Sequence, residues 1–204
     1  MKSTIAITGL FCLTTSAFGI LFNFDSTPAH STFPIDVSSE GLNAHLASAG
    51  YYNYSIQAAD VLGFTPVGFA GNCIYPNTIY LCDLGVDFSK ALVDFSIMYA
   101  PEEYDCDSSA TMRVTAYMDG AYVGTNTATT YAGTWPTGTL TFSSMLGFNR
   151  VVIHYDAPPI TGGDWGPVFL ADNMEVVVDP VPEPATLGVL AMGAVALLTR
   201  RGRR

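Results

Sequence analysis

The sequence predicts an all-β protein, with an antiparallel two-sheet β-sandwich over residues 20–180. Three observations carry this. Apolar and polar residues alternate at a period of two in several short runs, the pattern of half-buried strands. Gly, Pro and Asn gather between those runs, where turns belong. Nothing long in the body repeats at 3.6 residues. About 160 residues suffice for one substantial core.

The elements follow in chain order. Residues 1–19 read as a secretory signal peptide, to be cut by signal peptidase near Gly19. Lys2 gives the positive start, Ile5 to Leu13 a short apolar run, and Ala17 and Gly19 the small residues at the cleavage site. Glu40 to Ser48 is the one stretch expected to be helical, with Leu42 and Leu46 four apart, although Gly41 weakens it. Val93, Phe95, Ile97 and Tyr99 share one face of an expected strand. Met112, Val114, Ala116 and Met118 repeat the pattern, and Asp119-Gly120 then signals a type I′ hairpin turn. Ala121 to Thr125 returns antiparallel. Leu140 and Phe142, then Val151, Ile153 and Tyr155, then Met174, Val176 and Val178 mark three later strands.

The C-terminal end differs from the body. Pro182 and Pro184 hold Glu183 in an extended segment. Ala185 to Thr199 is uncharged and, as a helix, would be about 22 Å long, short of the ~30 Å hydrocarbon core. Arg200, Arg201, Arg203 and Arg204 follow and would stay cytoplasmic. Such a helix is a transient membrane anchor. This tail, Val181–Pro184 then Ala185–Thr199 then the arginines, resembles the PEP-CTERM sorting signal of exported bacterial proteins. The same tail is also catalogued as an ice-binding-protein C-terminal domain, a label that implies no ice binding. The resemblance implies recognition by a membrane-embedded exosortase that cuts near the Pro-Glu-Pro box. Its consequence is export through the inner membrane, then residence at the cell surface or in the extracellular matrix. The chain thus divides into 1–19, 20–180 and 181–204.

The body in turn resembles jelly-roll domains of the galactose- or carbohydrate-binding type. The Asp119-Gly120 hairpin, Gly147-Phe148-Asn149-Arg150-Val151 and Ala171-Asp172-Asn173-Met174-Glu175-Val176 carry this likeness. It implies a structural calcium ion where the mature N-terminus meets the last strand, at Asp25 and Asp172. Hard cations take carboxylate and carbonyl oxygens. A second acidic run, Glu102-Glu103-Tyr104-Asp105-Cys106-Asp107, reads as a solvated loop.

Composition limits the function. Between residues 20 and 180 there are three bases, Lys90, Arg113 and Arg150, against seventeen acids. Such a surface repels phosphate backbones, which excludes a nucleic-acid partner. Cys12 is lost with the signal peptide, leaving Cys73, Cys82 and Cys106. A Cys73–Cys82 bridge across Pro76-Asn77-Thr78 would stabilise by about 2.5–3 kcal/mol in the chain-entropy account. The alternatives pair Cys106 with either. His30, His45 and His154 lack zinc-ligand spacing. No Gly-x-Ser-x-Gly, His-Glu-x-x-His or Gly-x-x-x-x-Gly-Lys occurs. A non-catalytic structural or glycan-binding role in an exopolysaccharide matrix is therefore expected. A secreted hydrolase of the glycosidase kind and a protein-binding adhesin are the alternatives. Trp135 and Trp165 lie in turn-rich segments where an indole can stack on a sugar, with Asp164 and Asn149 as hydrogen-bonding neighbours. The alternative at each tryptophan is a loop anchor folded onto the core. Tyr51, Tyr52 and Tyr54 form a further aromatic cluster.

Overall fold

Period-two alternation resolves into ten strands. They are β1 (Ile20–Phe22), β2 (Ile35–Ser39), β3 (Leu42–Ala49), β4 (Tyr54–Ala58), β5 (Asn72–Pro76), β6 (Asp83–Glu103), β7 (Thr111–Met118), β8 (Ala121–Thr129), β9 (Gly138–Ala157) and β10 (Asp164–Val178). The computed structural model describes residues 19–180 except 64, 104–109, 131–135 and 160–163. The signal peptide, the tail helix and its arginines, Trp135 and Cys106 lie outside the described residues. Among the described residues there is no α-helix, and none long and apolar enough to cross a membrane.

Every pairing between strands is antiparallel. β6 and β9 are long because each serves both halves of a sandwich. Leu84 to Asp87 of β6 pairs with Arg150 to Ile153 of β9, and β3 and β7 flank this pair. After a break in register, Leu92 to Tyr99 pairs with Gly138 to Phe148, and β10 lies on the other side. The first half therefore runs β2-β3-β6-β9-β7-β8, and the second β4-β5-β10-β6-β9, with β1 on β10. Sequence neighbours are often not sheet neighbours, as in a jelly roll.

One apolar cluster fills the space between the halves. Leu42, Leu46, Leu84, Val114 and Ile153 enter from the first, and Ile56, Ile74, Phe95, Ile97 and Phe169 from the second. The expected inward faces hold for Phe95, Ile97 and Tyr99, and for Leu140 and Phe142, which are buried, but Val93 is only half-buried and Leu92 enters the core instead, because the register shifts between Leu92 and Asp94. The Asp119-Gly120 turn joins β7 to β8 with both residues at positive φ, as type I′ requires.

The expected helix at Glu40 to Ser48 is instead the second strand of a hairpin. Leu42, Ala44 and Leu46 are fully buried, while Asn43 and His45 are exposed. Leu42 and Leu46 satisfy both periods, and Ala44 between them decides for the strand. Glu40 and Gly41 take φ of 48° and 76°, a second tight turn like that at Asp119-Gly120. The two separate strands expected around Leu140 and Val151 are likewise one strand, β9, interrupted by a bulge.

This hairpin makes opposite predictions for one substitution. In a helix, Gly41→Ala would stabilise by about 1 kcal/mol. Nothing lies within 4 Å of a Cβ added at Gly41, so in the turn only the positive φ matters. We expect Gly41→Ala to destabilise by about 1 kcal/mol in urea denaturation. A gain in stability would contradict the hairpin.

Candidate functional site

Two tight connections raise aromatic rings out of the sandwich. The segment between β3 and β4 carries Tyr51 and Tyr52, and that between β5 and β6 carries Ile79, Tyr80 and Leu81. Tyr52 is half-buried against the core, and its carbonyl accepts from the Cys82 thiol at 3.2 Å. Tyr80 stacks on Tyr52 with centroids 5.0 Å apart and planes 22° from parallel. Tyr51 meets Tyr52 edge-on at 5.4 Å. Tyr51 is 95% exposed and Tyr80 58%, and Ile79 and Leu81 beside them are also exposed. The result is a rooted aromatic platform facing solvent. Tyr54, grouped with Tyr51 and Tyr52 by sequence, is instead fully buried and donates to the Cys82 carbonyl at 2.6 Å.

Sequence reasoning missed Tyr80, which joins the platform from twenty-eight residues after Tyr52. The available signal was Ile79-Tyr80-Leu81, an apolar triplet directly after a turn. Gly166 of β10 packs backbone to backbone against this loop, for a Cβ there would collide with the Ile79 carbonyl. Trp165 and Asp164 thus open β10 beside the platform at backbone level.

Asn149 does other work. Its amide accepts from Asp119 N at 3.0 Å and donates to the Asp119 carboxylate at 2.8 Å, clamping the β7–β8 turn. His154 binds Asp83 at 2.6 Å, and Arg113 binds Asp156 at 2.6 Å across the same sheet. Arg150 holds Asp87 through two contacts. Two of the body's three bases are therefore in ion pairs.

The Cys73–Cys82 bridge is not formed, and both thiols are free and buried. The physical reason is strand alternation. Cys73 faces a small outer cluster with Ala59, Phe69, Ala100 and Leu170, while Cys82 joins the main core. Burial pushes the Cys73 thiol up to about 12 and the Cys82 thiol to about 11, so both stay protonated.

Asp25 and Asp172 do come together. Asp25 Oδ1 accepts Asn72 N at 2.9 Å, and Asp172 Oδ2 accepts Ala70 N at 3.3 Å, so the same turn binds both. The Asp172 carboxylate also accepts from Asn173 N at 2.7 Å. Burial raises Asp172 to about 6, the two backbone donors oppose this, and the nearby Asp25 charge adds to it. Buried Asp172 and exposed Asp25 thus both bind the turn at Ala70 to Asn72, one carboxylate desolvated and the other open to solvent. That oxygen-only set suits a hard cation and supplies no soft donor. Among the described residues, no group of three or more His, Cys, Asp or Glu is arranged for a metal.

The expected solvated acidic loop starts differently. Glu102 closes β6 and is 5% exposed, and its Oε1 has no hydrogen-bond partner. Burial alone raises it to about 7. Burial raises the Tyr75 hydroxyl, and the nearby Glu102 charge adds to that rise.

Residues 180–204 match the PEP-CTERM protein-sorting motif. No curated protein matches the chain. The fold is similar to the K2 cleaved adhesin domain of Lys-gingipain, at 12% identity and a TM-score of 0.44, covering 78% of this chain and 99% of that one. It is also similar to a family 11 carbohydrate-binding module from Clostridium thermocellum, at 9% identity and a TM-score of 0.40, covering 80% and 98%. A third likeness is to the MgGH51 α-L-arabinofuranosidase, at 10% identity and 0.41, covering 81% and 27%.

Both raised carboxyls bind a proton more tightly in the folded state than in the unfolded chain. Their stabilisation is complete below the ordinary carboxylate range and is lost as pH rises through about 6 for Asp172 and about 7 for Glu102. We expect Tm in calcium-free buffer to fall between about pH 5 and pH 8. Glu102→Gln should flatten the upper part of that fall, worth on the order of 3 kcal/mol. A Tm that rises across this range would contradict the burial of both groups.

Proposed function

We propose that this chain is a non-catalytic, exosortase-sorted surface protein whose β-sandwich binds a neutral extracellular glycan on the Tyr51–Tyr52–Tyr80 platform. The PEP-CTERM motif implies export and sorting to the surface by an exosortase. The platform is the single observation behind the binding role. Flat rings exposed to water but fixed from below suit the apolar faces of sugars, at little entropic cost. The excess of acids favours a neutral polymer over an anionic one. Trp165, whose backbone opens β10 beside the loop, and Trp135, outside the described part, are further stacking candidates in this reading.

Affinity electrophoresis in gels containing neutral matrix polysaccharides tests this. Tyr80→Ala and Tyr51→Ala should each weaken retardation by about three- to tenfold. Tyr51→Ala should leave Tm unchanged, since that side chain is in solvent. Equal retardation of both variants and the parent would remove the glycan and leave a structural role.

The same reading assigns a structural Ca²⁺ to Asp25 and Asp172, with carbonyls and water completing its coordination. Bound calcium would relieve the repulsion between the two carboxylates. We expect EDTA to lower Tm at pH 7.5, and Asp172→Asn to abolish that response. A Tm indifferent to both calcium and EDTA after dialysis rules the ion out.

A further inference from the structure

A wide break in sheet register lies in β9. Ser143 pairs with Asp94 and Phe148 with Leu92, so Ser144 to Gly147 stand opposite Val93 alone. Such an insertion bends a strand and turns its side chains outward. Here it expels Met145 and Leu146, which are 99% and 82% exposed, the two largest exposures among the long aliphatic side chains described. The Leu146 N–H is held by the Ser144 hydroxyl at 3.1 Å, and Gly147 sits at a φ of 69°. The bulge is therefore a shaped projection of two apolar side chains.

Its position is specific. The chain leaves the sandwich at the same corner. Val178 pairs with Leu92, and Asp179 N donates to the Ala91 carbonyl at 2.9 Å. A Cβ on Gly147 would lie 3.6 Å from the Asp179 carboxylate and 3.7 Å from Ala91. The sorting box Val181–Pro184 begins two residues after Asp179, and its four residues reach at most about 14 Å. A peptidase domain of 100 residues is already some 26 Å across by its radius of gyration. An enzyme that reads that box works close to the surface around Asp179. Two acids at this corner, exposed Asp94 and half-buried Asp179, disfavour an anionic bilayer as the occupant.

We propose that the Met145–Leu146 bulge is a docking point for the exosortase that processes the tail, holding the folded domain against the enzyme while the box is read. This rests on residues 181–204 being an exosortase substrate. Seated in a pocket on the partner, such a pair would bury its apolar surface, and methionine is among the residues enriched at interface cores.

The test follows conversion of the full-length chain to its processed form by pulse–chase in a host expressing the exosortase. Met145→Ser/Leu146→Ser should slow conversion at least about fivefold without changing Tm. Glu183→Ala in the box should stall it. Conversion of the double variant at the parent rate, with the box variant stalled, overturns the docking proposal and leaves the tail reading intact. Parent-rate conversion of the box variant overturns the tail reading, and the docking proposal with it. If the double variant lowers Tm, Met145→Gln alone replaces it, and slowed conversion supports docking while an unchanged rate overturns it. Slowed conversion together with lost flotation on phosphatidylethanolamine–phosphatidylglycerol vesicles would make the bilayer the occupant and overturn the proposal.

Discussion

Continuous strands that pass from one half of the sandwich to the other constrain everything else in this fold. β6 runs through 21 residues and β9 through 20, and they pair with each other in both halves. A strand cannot change sheets without breaking register, because flat pairing would carry it past the core. Both breaks fall at one corner, around Leu92 and Phe148, which are fully buried. The residues that cannot follow the ladder there must go outward, and Met145 and Leu146 are those residues. The last strand ends at the same corner, so the bend that closes the core also sets where the tail departs.

The outer surface of the second half shows the opposite problem. Its strands alternate, so residues not facing the core must be covered or solvated. The segment between β4 and β5 covers part of it, with Ala59, Phe69 and partly buried Leu62 packing on Cys73, Ala100 and Leu170. This covering removes water from Asp172 and so raises its proton affinity, while two backbone N–H groups hold it in place. Glu102, without any such donor, is raised further. The difference between these two acids is local: one has dipoles supplied by a turn, and the other has none.

The features with functional weight are those in which the chain departs from its own alternation. The tyrosine platform stands on the segments entering β4 and β6. The docking bulge interrupts β9. Each is fixed from beneath by buried neighbours, Tyr52 and Cys82 in the first and Phe148 in the second. On the proposed readings, the sandwich presents separate surfaces to an extracellular polymer and to the machinery that delivers the protein.

The later strands were legible in the sequence because period-two burial needs only local information. Met112, Val114 and Ala116, like Val151, Ile153 and Tyr155, announce their faces without reference to any partner. The Asp119-Gly120 turn was legible too, since positive φ selects those residues. Residues 180–204 were readable as a sorting motif because the motif is a continuous stretch of sequence. Tertiary structure alone decided that Leu42 and Leu46 belong to a strand, because i and i+4 fall on one face in either geometry. It alone separated Cys73 from Cys82 and brought Tyr80 to Tyr52, while the meeting of Asp25 and Asp172 followed from the jelly-roll resemblance and not from any local pattern. Each of these depends on which distant strands become neighbours, and that choice is made by the packing of the whole core, not by any local pattern.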